Sequence, residues 1–301
     1  MKHVSVELEG IRGAGKSTLA QMLYERSADA VVCEKRKIYP YDRAKARVYT
    51  ILNNMLATEE WMKLDERVRR GKGAERMGEI TAEDAAYQAV LEFPDLRNVF
   101  QAALDYSAKF AGEQAKKQAL IAYMYTTDRA EASEWVRQQM QNHDVIFDRW
   151  RLSGCAYQEA PGYGWRDIKR LHDELGVTVP SVEIVLTLPL EEINSRRYFR
   201  LMEGTRSTGA MVGRAEANLA EERRRMAVFL EMAQELDDTG IFVVENMGVG
   251  VRGIRKQVEQ ALPAYRVVER IVRDAGFALK DSSTENWEDP ETLERIRAAQ
   301  M

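Results

Sequence analysis

The chain has 301 residues, of which 45% are hydrophobic and 31% are charged. This composition excludes an intrinsically disordered chain and provides enough apolar side chains for a large core. The net charge of −4 argues against attraction of the whole protein to nucleic acid or to acidic membranes, although a local basic patch is compatible with it.

The sequence also argues against a membrane or secreted protein. No apolar run approaches the ~20 residues that a membrane-spanning helix needs, so we expect no membrane partner. The amino terminus enters a strand pattern without the apolar segment of a signal peptide. Cys33 and Cys155 form no disulfide framework and are expected to fill space in a reducing compartment. A cytoplasmic enzyme is the simplest interpretation.

A glycine-rich sequence, EGIRGAGKST, follows the first predicted strand, Val4–Leu8, and leads into a helical pattern from Ser17 to Arg26. Its glycines let consecutive backbone N–H groups point at an anion. Lys16 can reach the β- and γ-phosphates of a triphosphate, and the Ser17 hydroxyl can bind Mg²⁺. Strand, glycine loop and helix N-terminus together bind phosphate. We therefore predict a nucleotide site formed by Gly10, Gly13, Ala14, Gly15, Lys16, Ser17 and Thr18.

Four further β-prone runs follow along the chain, and helical patterns separate them. They are Ala30–Cys33, Asp144–Phe147, Val182–Leu188 and Ile241–Val244. Apolar runs in such a series are typical of a buried parallel sheet whose strands are joined by helical crossovers. The sequence thus predicts an α/β fold with a doubly wound, five-stranded parallel sheet.

A helical insertion is predicted between the second and third strands, over about residues 41–120. Thr81 is expected to open one of its helices, and Pro94 to start or interrupt the next. A basic loop lies inside it at residues 67–76, where five of ten residues are Lys or Arg. A solvated surface loop is the first interpretation of this segment, and contact with a polyanion is the second.

An aromatic residue and an arginine follow the insertion on one predicted helix. Tyr125 and Arg129 are four residues apart and therefore share a helix face. An aromatic ring one turn from an arginine can stack on a base while the guanidinium binds a phosphate. Core packing is the alternative explanation for a tyrosine at this spacing.

The third predicted strand ends in an acid and an arginine, Asp148 and Arg149. Ligands of open α/β sheets bind at the carboxyl ends of the strands. Asp148 can help to hold Mg²⁺ or orient the accepting oxygen, and Arg149 can bind an acceptor phosphate through two parallel hydrogen bonds. A simple ion pair between the two side chains is the alternative.

These motifs, in this order, resemble those of the thymidylate kinase family. The resemblance rests on Glu9 before the glycine loop, on Tyr125 with Arg129, and on the sequence DRWRLSGCAYQ from Asp148 to Gln158. It continues from Leu186 to Glu192 and covers roughly residues 1–35 and 119–262. It implies an ATP-dependent P-loop kinase that uses Mg²⁺.

The resemblance and the helical patterns together predict a domain organisation. Residues 1–262 would form the kinase domain, with the insertion at about 41–120 and a lid at about 194–214. Residues 263–301 would form a helical C-terminal extension, in which Asp289 caps a helix that begins at Pro290.

Roles for individual residues follow from the same resemblance. The acceptor would be bound by Tyr125, Arg129, Arg149, Ser153, Gly154, Tyr157 and Gln158. Ser17 and Asp148 would hold Mg²⁺. The residues expected to act in catalysis are Lys16, Arg12, Asp148, Arg149 and the lid arginines Arg196, Arg197 and Arg200.

The sequence departs from the family on the acceptor side. Arg12 stands where the family usually has an acid, so it would favour an additional phosphate or carboxylate on the acceptor, or act on the donor as a catalytic arginine. Residues 34–37, EKRK, replace a proline-bearing motif, and Trp150 replaces a tyrosine.

Three functions therefore stay open. The first is transfer of a phosphoryl group to a pyrimidine deoxynucleotide such as dTMP, or to a related modified pyrimidine. The second is phosphorylation of 5-hydroxymethyluridine within DNA by a phage-type enzyme, with contact through the basic loop 67–76. The third is a nucleotide-dependent switch or binding protein. A small-molecule nucleotide is the first candidate partner, and a homodimer is compatible with the sequence.

Overall fold

The described residues form one five-stranded parallel sheet. Its strands follow the chain as β1 (Ser5–Gly10), β2 (Val31–Glu34), β3 (Val145–Asp148), β4 (Val182–Thr187) and β5 (Ile241–Glu245). Their order in the sheet is β2-β3-β1-β4-β5, and every neighbouring pair is parallel. The prediction of an α/β fold with this doubly wound sheet is confirmed. Each strand lies where the sequence placed it, and none of its ends is shifted by more than two residues.

The structure is a computed structural model, and it describes residues 3–11, 13–34, 94–189, 210–236, 240–246, 254–280, 287 and 289–298. The basic loop 67–76 and the helix start predicted at Thr81 lie outside these residues. Arg12 and the lid arginines do so as well.

Helices connect the strands. They are α1 (Lys16–Arg26), α2 (Pro94–Ser107), α3 (Glu113–Gln139), α4 (Arg151–Tyr157), α5 (Trp165–Glu174), α6 (Ala210–Glu235), α7 (Ile254–Asp274) and α8 (Pro290–Ala298). The helix predicted to start at Pro94 is present as α2. None of the helices in the described part of the chain combines the length and the apolar character that crossing a bilayer requires.

The chain divides into two compact units. The first contains Met1–Lys35, Glu134–Tyr157 and Thr178–Met301, and therefore all five described strands. The second contains Arg36–Ser133 and Gln158–Val177. Within the second unit the rings of Tyr106, Phe110 and Tyr163 pack edge to face, with centroids 4.7 to 6.3 Å apart. Such packing stabilises an apolar core beyond the area that the rings bury.

The C-terminal segment belongs to the same unit as the sheet. The N–H of Ala278 donates to Oδ2 of Asp144 (2.7 Å), and Oδ1 of the same carboxylate accepts the N–H of Val4 (2.8 Å). Arg26 at the end of α1 donates to the carbonyl of Lys280 (2.8 Å). These bonds tie the segment to the edge of the sheet where the strands begin.

A helix runs across the position predicted to divide the kinase domain from the extension. α7 continues through Pro263, so the structure has no break between residues 262 and 263. The helix predicted at Pro290 is present as α8, and the carboxylate of Asp289 accepts the N–H of Thr292 (2.8 Å), as a helix cap does.

Glu7, Glu9 and Glu183 are fully buried in the sheet. Glu7 and Glu183 are register partners on β1 and β4. Arg151, the first residue of α4, donates Nε and Nη2 to the two carboxylate oxygens of Glu183 (3.1 and 3.0 Å). Burial and the neighbouring carboxylates of Glu9 and Glu183 raise the pKa of Glu7 well above its usual range, although Arg151 opposes the shift. Glu7 therefore keeps a proton at pH values where an exposed glutamate is ionised.

We expect Glu7→Gln to fold and to become more stable than the wild type as the pH rises. Because the folded protein raises the pKa of Glu7, above about pH 4.3 the folded chain binds a proton that the unfolded chain has released. The free energy of unfolding of the wild type then falls with pH, by up to about 1.4 kcal/mol per pH unit. Glutamine does not titrate.

Urea unfolding of both proteins at about pH 5 and about pH 8 measures this effect. The stability of Glu7→Gln relative to the wild type should increase between the two conditions. An equal difference at both pH values would contradict the assignment of the proton to Glu7.

Candidate nucleotide site

The chain leaves β1 through a turn that requires glycine. Gly10 has a φ of 131°, and a Cβ there would collide with the carbonyl oxygen of Leu186 on β4. Gly15 has a φ of 89° and directly precedes α1. Because the first N–H groups of a helix lack partners within it, the start of α1 presents donors at the end of β1. This is the arrangement at which proteins bind phosphate.

Lys16 is folded back against this turn. Its Nζ donates to the carbonyls of Gly10 (3.0 Å) and Ile11 (2.8 Å), and the residue is only 4% exposed. Burial, and next the charge of Arg149, lower the pKa of Lys16 to about 7. The carboxylates of Asp148, Glu9 and Glu222 oppose that shift. The amine is thus a buried donor whose charged form gains from a nearby anion.

Ser17 and Asp148 form an oxygen pair next to Lys16. The Ser17 hydroxyl donates to Oδ2 of Asp148 (2.6 Å), while Oδ1 of Asp148 is buried and accepts no hydrogen bond within the described residues. Mg²⁺ prefers oxygen ligands and keeps most of its sites for water and phosphate. A hydroxyl and a carboxylate with an unused oxygen fit that ion.

Arg149 directly follows β3 in an uncommon backbone conformation. Its φ is 72°, and its N–H donates to the carbonyl of Leu8 (3.3 Å). Its Nη1 donates to the Ser153 hydroxyl (3.4 Å), and its guanidinium lies 5.1 Å from the ring centroid of Tyr157. Burial opposes its charge, but Glu9, Tyr157 and Asp148 outweigh burial and raise the pKa of Arg149. The guanidinium therefore stays charged in a largely buried position.

The first unit brings together most of the residues singled out in the sequence. The register pairs Leu8 on β1 with Asp148 on β3, so the turn after β1 and the end of β3 lie side by side. The residues collected there are Gly10, Gly15, Lys16, Ser17, Asp148, Arg149, Ser153 and Tyr157. Gly154 lies inside α4, and Thr18 lies in the first turn of α1.

Three predicted acceptor residues belong to the second unit. Arg129 is 6% exposed and its Nη1 donates to the carbonyl of Tyr125 (3.5 Å), consistent with their shared helix face. Burial raises the pKa of Tyr125. Gln158 is buried, and its Oε1 accepts no hydrogen bond within the described residues. Their roles at an acceptor stay predictions, as do those of Arg12, Arg196, Arg197 and Arg200, which lie outside the described residues.

Two residues on α6 reach the site without having been assigned a role. The Arg225 guanidinium lies 4.2 Å from the ring centroid of Tyr157 and forms ion pairs with Glu221 and with Glu222 (3.1 Å). Glu222 is 3% exposed, and its charge contributes to the pKa of Lys16. The available signal was the dense run EERRR within an apolar helical pattern.

A third unassigned residue, Asn246, supports the glycine turn. It directly follows β5, and its Nδ2 donates to the carbonyl of Ala14 (2.8 Å). A Cβ on Gly15 would collide with this amide group, whereas a Cβ on Gly13 would meet nothing within 4 Å among the residues that the structure describes. A polar residue at the carboxyl end of a predicted strand was the signal that sequence reasoning did not use.

Gly13 and Gly15 form a matched pair for testing this support. Both have a positive φ, of 94° and 89°, so alanine costs about 1–2 kcal/mol of backbone strain at either position. Gly15→Ala must also displace Asn246, and we expect at least about tenfold weaker ATP binding than in Gly13→Ala, which corresponds to about 1.4 kcal/mol. Calorimetric titration of ATP into each variant measures this difference. Equal affinities would show that Asn246 does not support the turn.

The family model for thymidylate kinase matches residues 79–235, more than half of the chain. No curated protein matches this chain. The solved thymidylate kinase from Ehrlichia chaffeensis is 13% identical, with a TM-score of 0.46 over 90% of this chain and 100% of that chain. That from Candida albicans is 16% identical, with a TM-score of 0.46 over 94% of this chain and 96% of that chain.

Proposed function

The chain belongs to the thymidylate kinase family and is a P-loop nucleotide kinase, and from this premise we propose that it transfers the γ-phosphoryl group of ATP to a pyrimidine deoxynucleotide or a related modified pyrimidine. The family match begins after the glycine turn. The nucleotide-binding role of that turn is therefore proposed on its own residues and geometry.

The observation that carries the proposal is the meeting of two sets of groups at neighbouring strand ends. Lys16 and Ser17 follow β1, and Asp148 and Arg149 lie at the end of β3, its register neighbour. The charges of Arg149 and Asp148 act strongly enough on Lys16 to influence its pKa. Donor and acceptor phosphates bound by these groups would lie close to each other.

The residues suffice for phosphoryl transfer, which depends on alignment and on neutralising charge at the phosphate oxygens. Lys16 and the N–H groups at the start of α1 bind the β- and γ-phosphates. Arg149 binds the phosphate of the acceptor through parallel N–H bonds. When bound, Mg²⁺ would be held by Ser17 and Asp148 and would neutralise charge on the donor phosphates.

A single experiment separates the acceptors. The protein is incubated with ATP labelled in the γ-phosphate and with either dTMP or duplex DNA that contains 5-hydroxymethyluridine; unmodified DNA of the same sequence is the control. Label in the mononucleotide supports the proposal. Label in the modified DNA alone would replace it with the DNA-modifying kinase, for which Arg12 and the basic loop 67–76 provide the sequence argument.

A broader panel completes the test. Nucleosides and other nucleoside monophosphates serve as further acceptors under the same conditions. Slow release of labelled phosphate, with no label in any acceptor, would contradict the proposed transfer and favour a nucleotide-dependent switch.

A further inference from the structure

Glu9 accepts hydrogen bonds on both oxygens from the segment that follows β3. Oε1 accepts the N–H groups of Trp150 (2.9 Å) and Ser153 (2.9 Å), and Oε2 accepts the hydroxyl of Ser153 (2.6 Å). The residue is fully buried. Hydrogen bonds to a buried carboxylate are short and strong compared with those between neutral groups. Glu9 is therefore a firm attachment point for residues 150–153.

Glu9, which lies on β1, accepts hydrogen bonds from N–H groups at the start of α4. α4 begins at Arg151, so the N–H groups of its first turn have no partners within the helix. Glu9 lies 144 residues earlier in the chain than Ser153. A carboxylate at a helix start is also favoured by the helix dipole. Strand β1 thus supplies the cap that the sequence next to α4 lacks.

This attachment acts on Arg149 through the backbone. The N–H of Arg149 donates to Leu8 on β1, and the next N–H, that of Trp150, donates to Glu9 on the same strand. The peptide groups on both sides of Arg149 are therefore held by β1. A positive φ at a residue other than glycine persists only where the surroundings impose it. Leu8 and Glu9, together with Glu7, which shares the N–H of Trp150 (3.1 Å), hold the backbone at which Arg149 has a φ of 72°.

It also acts through the side chain of Ser153. A serine hydroxyl has one proton, and in Ser153 that proton is donated to Glu9. The lone pairs of the same oxygen are left to accept Nη1 of Arg149 (3.4 Å). Glu9 thereby determines which way the hydroxyl points and provides the guanidinium with an acceptor.

We propose that Glu9 is a positioning residue for the phosphoryl acceptor, because it fixes both the backbone turn at Arg149 and the direction of its guanidinium. This inference rests on the proposed function for the acceptor role of Arg149, whereas the positioning itself is a property of the unliganded protein. Glu9 contacts no substrate in this scheme and acts through Arg149 and Ser153.

Glu7 is a matched control two residues away on the same strand. It is equally buried, and its Oε1 also accepts the N–H of Trp150 (3.1 Å), together with that of Leu152 (3.0 Å). No hydrogen bond joins it to Ser153 or Arg149, and its Oε2 accepts none within the described residues. Glu7→Gln keeps the acceptor oxygen, whereas Glu9→Gln replaces one of two oxygens that are both in use.

The first measurement compares crystal structures of unliganded Glu9→Gln and Glu7→Gln, and it requires no activity. In Glu9→Gln the amide nitrogen of glutamine cannot accept the hydroxyl proton of Ser153. The hydroxyl should therefore turn, and the guanidinium of Arg149 should leave Ser153. In Glu7→Gln Arg149 should be unmoved. The proposal would be overturned if the Glu9→Gln structure showed the Arg149 guanidinium still on Ser153 and the φ of Arg149 still positive.

The second measurement is a double-mutant cycle in the kinetics of the acceptor. Glu9→Gln should lower kcat/KM for the acceptor about 10- to 100-fold. It should raise KM for ATP by a smaller factor, because Glu9 also supports the charge of Lys16. Glu7→Gln should leave both nearly unchanged. When Arg149→Ala is already present, Glu9→Gln should have a much smaller further effect, because its target is gone and only the charge that Glu9 exerts on Lys16 is still lost. Equal losses with and without Arg149 would overturn the proposal.

Two outcomes are kept distinct by this design. A wild-type protein that transfers no phosphoryl group to any acceptor contradicts the proposed function, while the crystal structures still decide whether Glu9 positions Arg149. Should Glu9→Gln fail to fold, Ser153→Ala removes the hydroxyl that joins Glu9 to the guanidinium. Its crystal structure must then show a displaced Arg149 side chain on an unchanged backbone, and an undisplaced side chain refutes the relay through Ser153.

Discussion

Replacing Lys16 with alanine is expected to abolish phosphoryl transfer while the protein stays folded. The Nζ of Lys16 is buried at the glycine turn and held by the carbonyls of Gly10 and Ile11. No water molecule can replace a fixed cation at that point, so the expected loss in kcat is at least about 10²- to 10³-fold, or about 3–4 kcal/mol.

The fold should tolerate this change for a physical reason. Burial lowers the pKa of Lys16 to about 7. The charge of this amine therefore lowers the stability of the folded protein and does not add to it. The loss of its two hydrogen bonds to Gly10 and Ile11 costs about 1–3 kcal/mol, an amount that most domains survive.

Two further variants control the experiment. Lys16→Met keeps the aliphatic chain and removes the charge, so it should be as inactive as Lys16→Ala. Lys169→Ala removes a lysine of α5 that pairs with Asp173 (2.7 Å), and it should leave kcat unchanged. Transfer assays with labelled ATP and thermal unfolding of each variant provide the readouts. Retention of more than about a tenth of wild-type kcat in Lys16→Ala would exclude Lys16 from catalysis.

Replacing Arg149 with alanine is expected to impair use of the acceptor and to spare the donor. A buried guanidinium that binds a phosphate contributes on the order of 3 kcal/mol, so kcat/KM for the acceptor should fall about 100-fold. KM for ATP should change by less than about threefold, because Lys16 and the start of α1 stay in place and the loss of the Arg149 charge only favours the charged form of Lys16. Initial rates at varied acceptor and at varied ATP distinguish the two effects.

The unusual backbone of Arg149 provides a matched control. With a φ of 72°, alanine retains the strain of this position, whereas Arg149→Gly relieves about 1 kcal/mol or more of it. The two variants should be equally poor with the acceptor, while Arg149→Gly should be the more stable one in thermal unfolding. Wild-type acceptor kinetics in both would exclude Arg149 from acceptor binding.

The elements of the fold could be predicted because their signals are local. Five β-prone runs separated by helical patterns indicate a parallel sheet, and the start of the last helix follows from Asp289 with Pro290 directly after it. The resemblance to the thymidylate kinase family likewise rested on short motifs, and the family match over residues 79–235 bears it out.

Several contacts within the candidate site could not be predicted, because they join residues far apart in the chain. Glu9 and Ser153 are 144 positions apart, and Asn246 and Ala14 are 232 apart. The sequence shows that these residues are polar and follow or lie in strands. It does not show which helix start or which carbonyl each one meets, since that depends on strand order and register.

By itself, the sequence determined the sheet, the glycine turn with Lys16 and Ser17, and the kinase family, because periodicity and fixed spacing act over a few residues at a time. Only the tertiary structure decided that two glutamates of β1 are buried beneath the start of α4, and that Arg225 of α6 lies against Tyr157. The physical reason is that a buried glutamate side chain is tolerable only where hydrogen-bond donors from elsewhere in the fold meet it. Those donors are brought to Glu7 and Glu9 by the pairing of β1 with β3.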